Sequence, residues 1–457
     1  MKNQKNSKKS VLIITYLFPP FGGPSVFRVL KFVRYLPFFN WRPLVITASY
    51  PFFQAKDESL LNEIPHQAKI FRIFNIDLRN IKILRKFWAQ QVKIENIVET
   101  EKQSIFKKFL KNLKLLIFLP DESNLWLPFL IFYGFFIILK NKPQIIFVTA
   151  PPYSPLFAGI ILKKIFKIPL VADFRDPWSK IPEGHFAYSF PLWRKKIDSL
   201  LEKWVLKNVD KVIVVSEKTA RDFSEIVDSQ KIEVIHNGYD EEDFQGLEEE
   251  KIFPQKFKIV YSGSFFGHYN PFNFLRALKM IIDKKPEIKK DLKIEFYGRQ
   301  IHGPGIEEKS FQILKNKEII KFFDYLPHKE ILKKFYEASL LLLVIGRHKG
   351  AEGVYSTKIF EYIRVGKPII LLSDKESLSA KLIERTKTGI VVDPENVDEI
   401  AQKIEEIYEK WKKREKIVEP NWEEIKKYER KKLTGRLAEV FDELLKTKSQ
   451  NNKTKND

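Results

Sequence analysis

Lys358 and Glu361 are the residues of this sequence whose types and spacing most clearly suggest chemistry. They lie in the stretch 350–372, where a loop with two glycines leads into a helical pattern and then into an apolar strand pattern. Ser356 is placed to cap the helix, which puts both side chains on one face near its start. A lysine beside exposed N–H groups can hold a diphosphate, and a carboxylate can accept both hydroxyls of a ribose. An exposed salt bridge on a capped helix is the plainer alternative.

Two loops of the same half follow apolar strand patterns and offer further phosphate contacts. Gly263 and Ser264 come directly after the strand pattern at 258–262, so their backbone N–H groups can approach a diphosphate closely. Arg299 follows the strand pattern at 293–297, and its guanidinium can reach a phosphate or a nucleobase. A surface role for the arginine or the glycine is equally open at this point.

The first half carries a comparable loop directly after its first strand. Gly22 and Gly23 have no side chains, so their N–H groups can approach a phosphate or a sugar, and the helix that follows adds a favourable dipole. The spacing is not that of a dinucleotide-binding fingerprint. A tight turn needed only for packing is the alternative.

The segment DFRDPW at 173–178 places two carboxylates, a guanidinium and an indole at the end of another strand. Asp173 or Asp176 can orient substrate hydroxyls or act as a general base, and Arg175 can pair with phosphate. Trp178 then offers an apolar surface to whatever enters the site. A structural pair between Arg175 and Asp176 is the alternative.

His236 and Asn237 follow the last strand pattern of the first half and begin an Asn-Gly turn. We expect a hinge there, with both side chains lining a cleft. A zinc site at His236 is disfavoured, because the sequence has only 7 histidines, no close ligand pair and no cysteine.

The chain alternates short apolar runs with helical patterns, which predicts an α/β protein with parallel sheets. At 457 residues with 44% apolar content it can bury two cores. Residues 50–142 break the alternation and are expected to form an insertion on the acceptor side. The predicted organisation is a first domain at 1–235, a hinge at 236–257, a second domain at 258–410, C-terminal helices at 411–447 and a disordered tail at 448–457.

The formal net charge of +22 favours anionic partners such as nucleotide phosphates and acidic lipid headgroups. Nucleic acid is excluded as the expected partner, since no aromatic and basic recognition module is present. The absence of cysteine removes disulfides and thiolate nucleophiles. The basic, polar start of the chain does not resemble a signal peptide, so a cytoplasmic location is expected.

One apolar run, residues 125–139, has the character of a membrane segment but falls short of the ~20 residues that a spanning helix needs. A helix buried under a sheet is the first interpretation. The second is an interfacial contact with the inner face of the cell membrane, which the lysines at 107, 108, 111 and 114 beside apolar residues favour.

Taken in order, these motifs resemble glycosyltransferase family 4, the retaining transferases of the GT-B fold, and in particular its bacterial members that build surface polysaccharides. The resemblance runs over nearly the whole chain, through YLFPP, DFRDPW, VSEKTARDF, HNGYD, YSGSF, STKIFEYIRVGKPI and TGIVVDPEN.

The resemblance implies two Rossmann-like, doubly wound domains facing across a cleft, with a nucleoside diphosphate-sugar held by the second and a glycan or lipid-linked acceptor by the first. Glu361 would hold the ribose, Lys358 and Arg299 would neutralise the leaving diphosphate, and Gly22 and Gly23 would face both substrates. Such cations stabilise the charge that builds on the leaving group. The family implies no cofactor and no essential metal.

The sequence departs from the family pattern in two places. The first of the family's paired glutamates would fall at Gly353, and Glu352 stands one residue away. The Arg and Lys that many members carry after the first strand of the second domain are replaced by the segment 264–268, so Arg347, His348 or Lys349 would have to compensate. A catalytically inactive subunit or scaffold, or a sugar-nucleotide epimerase on the same fold, therefore stays open as an alternative.

Overall fold

The structure, a computed structural model, describes residues 9–51, 56–80, 112–181, 190–247, 254–265, 267–298, 305–315 and 318–453. The chain divides into two compact units. The first comprises Met1–Ser179, Phe190–His236 and Thr434–Asp457, and the second comprises Lys180–Ser189 and Asn237–Leu433.

The first unit is built on a parallel sheet of seven strands in the order β3-β2-β1-β4-β5-β6-β7. The central strands are apolar throughout because both faces of the sheet are covered by helices, as in doubly wound folds. The strands are β1 (Lys9–Ile14), β2 (Trp41–Ala48), β3 (Lys69–Ile73), β4 (Ile145–Ala150), β5 (Leu170–Phe174), β6 (Lys211–Val214) and β7 (Ile232–Val234).

The helices of this unit connect successive parallel strands. Among the described residues they are α1 (Pro24–Tyr35), α2 (Leu127–Asn141), α3 (Ser154–Phe166), α4 (Leu192–Asn208) and α5 (Glu217–Ser224). A further helical stretch covers residues 112–117, and a 3-10 turn, Glu122–Trp126, runs directly into α2.

The second unit repeats the plan with six parallel strands in the order β10-β9-β8-β11-β12-β13. Its apolar residues form one cluster on each face of the sheet. The strands are β8 (Phe257–Ser262), β9 (Leu292–Tyr297), β10 (Ile320–Phe323), β11 (Leu340–Gly346), β12 (Ile369–Ser373) and β13 (Gly389–Val392). The helices are α6 (Phe272–Lys284), α7 (Ile306–Leu314), α8 (His328–Tyr336), α9 (Lys358–Val365), α10 (Leu378–Thr386), α11 (Val397–Lys412) and α12 (Trp422–Ile425).

The last helix, α13 (Arg430–Lys453), returns to the first unit from Thr434 onward. There Phe441 meets Trp41 edge to face at 5.2 Å between ring centroids, and Asp442 pairs with Lys9 at 2.5 Å. The helix continues to Lys453, so the tail predicted to be disordered from residue 448 is helical over its first six positions. Residues 454–457 lie outside the described part of the chain.

The structure also describes parts of the predicted insertion and of the predicted hinge. The presumed insertion 50–142 contributes β3 to the sheet, and two parts of it, residues 52–55 and 81–111, lie outside the described residues. The predicted hinge 236–257 contains the boundary between the two units, which falls between His236 and Asn237. After that boundary, Tyr239 and Phe244 are buried in the second unit, and the Tyr239 N–H donates to the carbonyl of Tyr428 at 3.1 Å.

Each sheet has one point where the strand order reverses direction, between β1 and β4 in the first and between β8 and β11 in the second. Helices leave the sheet on opposite faces there, which opens a crevice at the carboxyl ends of the strands. The loops after β1 and β8 therefore lie at the positions where doubly wound proteins bind ligands.

One helical segment of the described residues, Glu122–Asn141, is long enough, at 20 residues, and apolar enough to cross a membrane. Length therefore does not exclude a span, contrary to the sequence-based expectation, because the 3-10 turn before α2 extends the apolar run. A core helix of a soluble protein passes the same test, and 33% of the most apolar window of this segment is buried.

Candidate functional site

Lys358 opens α9, and its ammonium lies against the ring and hydroxyl of Tyr261 at the end of β8. The Lys358 Nζ is 4.4 Å from the Tyr261 ring centroid and donates to the tyrosine hydroxyl at 3.3 Å. Burial lowers the pKa of Lys358 to about 8, against a smaller raising effect of the Glu361 charge. Among the described residues no carboxylate forms an ion pair with this lysine. The site therefore holds a partly buried cation that forms no ion pair with a carboxylate of the described residues.

Gly263 makes the room that the Lys358 ammonium occupies. A Cβ atom at this glycine would lie 2.2 Å from the Lys358 Nζ, and its φ of +126° is itself unfavourable for other residues. The Gly263 N–H donates to the carbonyl of Tyr297 at 2.7 Å, so it is not available to a diphosphate as the sequence had suggested. The carbonyl of Ser264 accepts the hydrogen bond of the Tyr261 hydroxyl at 3.2 Å. The loop after β8 thus forms one wall of the space that the Lys358 ammonium occupies.

Glu361 lies one turn further along α9, with 22% of its side chain exposed, and is held by a histidine from α8. Its Oε1 is 2.8 Å from the Nε2 of His328, whose Nδ1 is in turn 3.8 Å from a carboxylate oxygen of Asp243. Lys358 and Glu361 therefore have different partners, and the plain salt bridge between them is not formed. The histidine fixes the direction of a carboxylate that can accept ribose hydroxyls.

The first turn of α9 carries no side-chain cap. The N-cap position is Thr357, one residue later than predicted, and neither it nor Ser356 bonds a first-turn N–H through its side chain. The cause is local, since Thr357 already has helical dihedrals and the Ser356 carbonyl accepts from the Ile359 N–H at 3.1 Å. Uncapped N–H groups at a helix start are donors for an anion.

Glu352, the candidate for the displaced first glutamate, is exposed on the 3-10 turn Ala351–Gly353 after β11. The neighbouring Arg347 lines a cavity together with His268 at the strand-order reversal of this sheet. The Arg347 guanidinium is 2.9 Å from a carboxylate oxygen of Asp393. Side chains from the loops after β8 and β11 thus line the same cavity, to which Arg347 contributes a positive charge.

Asp173, suggested as a catalytic carboxylate, is fully buried in the first unit. Its Oδ1 is 2.8 Å from the Arg28 Nη2, and its Oδ2 accepts from the Thr149 hydroxyl at 2.8 Å. The same arginine donates to the carbonyls of Ile235 and His236. A carboxylate held this way ties α1 to the sheet, and the role of general base does not fit its surroundings.

The three other candidate site residues of the DFRDPW segment have different surroundings. Asp176 is exposed, and it stands beside Arg175, which donates to backbone carbonyls of Ala150, Ser25 and Pro151 instead of pairing with it. Trp178 is buried, stacks on Tyr153 with 4.5 Å between ring centroids, and donates from Nε1 to Asp198 at 3.4 Å. Trp178 is therefore a packing residue, and Asp176 is the exposed carboxylate of the segment.

The remaining predicted residues are two glycines, His236, Asn237 and Arg299. Gly23 is the N-cap of α1 with a φ of +97°, a value that favours glycine, and both Gly22 and Gly23 are buried. His236 is half-buried, with its Nδ1 3.0 Å from the Val215 carbonyl and its Nε2 3.2 Å from Glu217. Asn237 is buried and begins the second unit. Arg299, predicted to bind donor phosphate, lies outside the described residues.

Sequence reasoning did not find Tyr261 or His328, which hold Lys358 and Glu361. Tyr261 lies two residues before Gly263, a predicted phosphate contact, and this closeness could have identified it as a site residue. His328 had none, because its link to Glu361 joins positions 33 residues apart on different helices.

A partly buried lysine and a carboxylate held by a histidine lie at one helix start, next to the strand-order reversal of a parallel sheet, which is where doubly wound α/β proteins bind nucleotides and other ligands. Two family models match the chain, "Glycosyltransferase Family 4" over residues 97–243 and "Glycosyl transferases group 1" over residues 243–421. The chain therefore belongs to the GT-B glycosyltransferases of the family 4 type, which use nucleotide-sugar donors. No curated protein sequence matches it at a significant level.

Solved structures share the fold at low sequence identity. Sucrose-phosphate synthase from Thermosynechococcus elongatus superposes with a TM-score of 0.59 at 12% identity, covering 96% of this chain and 100% of that one. Anabaena HepE, solved in complex with UDP, has a TM-score of 0.52 at 14% identity and covers 97% and 100%. A structure assigned to a UDP-N-acetylglucosamine 2-epimerase from Listeria monocytogenes has a TM-score of 0.54 at 12% identity and covers 96% and 97%. The two Rossmann-like sheets of the GT-B fold are thus confirmed.

Proposed function

We propose that this glycosyltransferase moves a sugar from a nucleoside diphosphate-sugar to a glycan or lipid-linked acceptor, with retention of the anomeric configuration, in the synthesis of a cell-surface polysaccharide. The observation that carries the donor half is the Lys358 ammonium, which is partly buried against Tyr261 and Gly263 and has no ion pair among the described residues. A diphosphate brings the anion that this cation lacks.

In this proposal the donor lies along the start of α9. Lys358 contacts the diphosphate, and N–H groups of the first turn other than that of Ile359, which donates to the Ser356 carbonyl, donate to its oxygens. Glu361, directed by His328, accepts the ribose hydroxyls. As the bond from sugar to phosphate breaks, negative charge builds on the leaving oxygen, and a cation already desolvated stabilises it without reorganisation. Arg299 is proposed as a second cation, and Arg347 or Glu352 as a contact for the sugar.

The acceptor is proposed to bind the first unit. The exposed Asp176 and the half-buried Arg175 follow β5, and the buried glycines at 22 and 23 follow β1. Asp176 is the carboxylate of this set that can reach an acceptor hydroxyl, since Asp173 is committed to Arg28. Retention is proposed from the family resemblance, with the leaving and attacking groups sharing one face of the sugar and no protein nucleophile.

We further propose that no cofactor and no essential metal take part, because Lys358 provides the charge that a divalent cation would otherwise bring to the diphosphate. Activity that survives chelation by EDTA supports this. Activity that returns only when Mg²⁺ or Mn²⁺ is added back refutes it. The proposed location is the cytoplasm, with peripheral contact with the inner face of the membrane, where lipid-linked acceptors are available.

Two alternatives have support of their own. A sugar-nucleotide epimerase is one alternative, because the fold is similar to that of an epimerase structure. An inactive subunit is the other, because Gly353 stands in the place of a family glutamate. Product analysis separates them from the transferase. A transferase releases a nucleoside diphosphate only when acceptor or water takes the sugar, an epimerase returns an isomeric nucleotide sugar, and an inactive subunit does neither.

The experiment that tests the proposal is a thermal-shift panel of nucleotide sugars, starting with those of UDP. A ligand that binds the folded state raises the midpoint of unfolding by mass action. We expect a shift that disappears in Lys358→Ala and in Glu361→Ala. The matched controls are Lys375→Ala and Glu376→Ala, two exposed residues of the same unit on the loop after β12, which should keep the full shift. No shift with any nucleotide sugar or diphosphate would overturn the proposal.

A further inference from the structure

The outward side of α2 is apolar where a surface helix is normally polar. Its inward side, Leu130, Gly134 and Ile138, is buried, and a Cβ atom at Gly134 would lie 2.8 Å from Leu162 of α3. Its outward side presents Phe132 and Phe136 with 58% and 53% of their surfaces exposed. Amphipathic helices of soluble proteins place charged residues at such positions. The outward side of α2 therefore exposes an apolar surface to solvent.

The outward side of α4 combines apolar and basic residues. Leu192 and Leu200 are 77% and 65% exposed, and the positions between and after them with helical spacing carry exposed lysines. The two carboxylates of α4 face inward, where Asp198 pairs with Arg194 at 2.8 Å and Glu202 accepts from the Trp178 N–H at 3.1 Å. The outward stripe consists of Leu192, Lys196, Leu200, Lys203, Trp204 and Lys207.

The helix α3 joins these two surfaces into one. Phe166 of α3 meets Phe135 of α2 with 5.1 Å between ring centroids. Phe157 of α3 stacks on Trp204 of α4 at 5.5 Å, and the Lys164 Nζ is 5.6 Å from the same indole. Between these contacts α3 exposes Ile161, Lys164 and Ile165. We call the exposed residues of α2, α3 and α4 together the three-helix face.

Acidic residues are missing from the three-helix face. The sequences of α2 and α3 contain no Asp or Glu, and both carboxylates of α4 are buried. The face thus displays phenylalanine, leucine, isoleucine and tryptophan among lysines of one charge sign. Lysine is depleted in protein–protein interfaces, whereas an anionic lipid surface attracts a face that combines lysines with exposed apolar and aromatic residues.

We propose that the three-helix face docks on the surface of a bilayer that contains anionic lipids. The Phe132 and Phe136 rings enter the boundary between headgroups and acyl chains, Trp204 lies at the headgroup level, and Lys196, Lys203 and Lys207 contact the lipid phosphates. This docking surface rests on the peripheral membrane contact of the proposed function and specifies which residues make that contact. It does not depend on the donor site, which lies in the other unit.

The first test is co-sedimentation of the full chain with vesicles of phosphatidylcholine, with and without phosphatidylglycerol. We expect binding to the mixed vesicles only, weakened by salt. The variant K196Q/K203Q/K207Q should bind about a hundredfold more weakly, since each lysine at an anionic surface contributes on the order of fivefold. The matched control K375Q/K413Q/K416Q removes the same charge from exposed lysines of the second unit and should bind as the wild type does.

The second test separates the apolar contribution. Phe132→Ser with Phe136→Ser should lower the binding that persists at high salt, and circular dichroism melting checks that the exposed substitutions leave the fold intact. Equal effects of the lysine variant and its control would overturn the proposal. A wild-type protein that does not bind anionic vesicles at low salt would also overturn it. A dimer in solution that the two phenylalanine substitutions dissociate would overturn it too, because the face would then bind a second copy of the chain.

The nucleotide-sugar thermal shift of the same variants keeps the two proposals apart. Both three-helix-face variants should retain the wild-type shift, because none of the substituted residues belongs to the second unit. A protein that binds vesicles through this face and no nucleotide sugar would refute the transferase and leave the docking surface standing. Binding that high salt and the two phenylalanine substitutions both leave unchanged, and that only detergent reverses, would show that α2 spans the bilayer and would overturn the surface contact.

Discussion

Substitution of Gly263 by alanine tests the central feature of the donor site, the fit of the Lys358 ammonium against a residue without a side chain. The added Cβ would lie 2.2 Å from the Lys358 Nζ and 3.2 Å from its Cε. Non-bonded carbon and nitrogen atoms pack at about 3.5 Å, so the ammonium has to move by roughly 1.3 Å or the loop has to deform. Either change removes the cation from its place at the start of α9.

The size of the effect follows from the interaction that is lost. A hydrogen bond to a charged group contributes about 1.5–3 kcal/mol, which corresponds to a loss of roughly 10- to 150-fold in affinity for a nucleoside diphosphate. Alanine at a φ of +126° also strains the backbone by about 1–3 kcal/mol. Stability and affinity therefore both fall in Gly263→Ala, and the two effects need a control that separates them.

Gly267→Ala is that control, since Gly267 belongs to the same loop, has a φ of +50° and would place a Cβ with no atom within 4 Å. Isothermal titration with a nucleoside diphosphate should show a large loss of affinity for Gly263→Ala and almost none for Gly267→Ala. In a Lys358→Met background, Gly263→Ala should have no further effect on affinity. A folded Gly263→Ala protein that binds within twofold of the wild type would refute the reasoning, and so would an undiminished effect in the Lys358→Met background.

Two further predictions concern the same helix start. Because burial lowers the pKa of Lys358 to about 8 and a diphosphate favours its charged form, affinity should be constant below pH 8 and fall by up to about tenfold per unit above it. Titrations from pH 6.5 to 9.5 check this, and a Lys358→Met profile with the same fall would contradict it. His328→Ala should weaken nucleoside diphosphate binding by about 2- to 10-fold through the loss of one hydrogen bond to Glu361. Pyrophosphate has no ribose and should bind this variant unchanged, so an equal loss for both ligands would mean that His328 does not act through Glu361.

The sheets were predictable because fully buried parallel strands leave continuous apolar runs in the sequence. Apolar runs of the sequence overlap twelve of the thirteen observed strands, as the patterns at 258–262 and 293–297 do with β8 and β9. The thirteenth, β3, has the burial pattern exposed, half-buried, half-buried, exposed, buried, so only Ile73 distinguishes it from a surface loop. An edge strand that buries one residue produces no such run, and the region around it was taken for an insertion.

The site was predictable only in part, because residue types can be recognised locally whereas their partners cannot. Lys358 and Glu361 stand at a helix start that the periodicity indicated, but the contact of Lys358 with Tyr261 spans 97 residues. Asp173 shows the opposite outcome. An aspartate at a strand end is typical of a catalytic carboxylate, but here Asp173 forms an ion pair with Arg28, which lies 145 residues away in the sequence. Sequence spacing could not distinguish the two cases, because burial and partner are properties of the folded chain.

The environment of Lys358 also explains why binding and stability should be coupled in this protein. Its pKa lies below the value of an unfolded chain, so between about pH 8 and 10.5 the unfolded state binds more protons and the free protein gains stability as pH rises. Below pH 8 the charged, desolvated ammonium instead opposes folding. A bound diphosphate supplies the missing counter-charge and removes that opposition in the pH range where the lysine is charged. A site arranged in this way sacrifices stability in the free protein in order to bind an anion strongly, a compromise that structural ion pairs such as the one between Arg28 and Asp173 do not require.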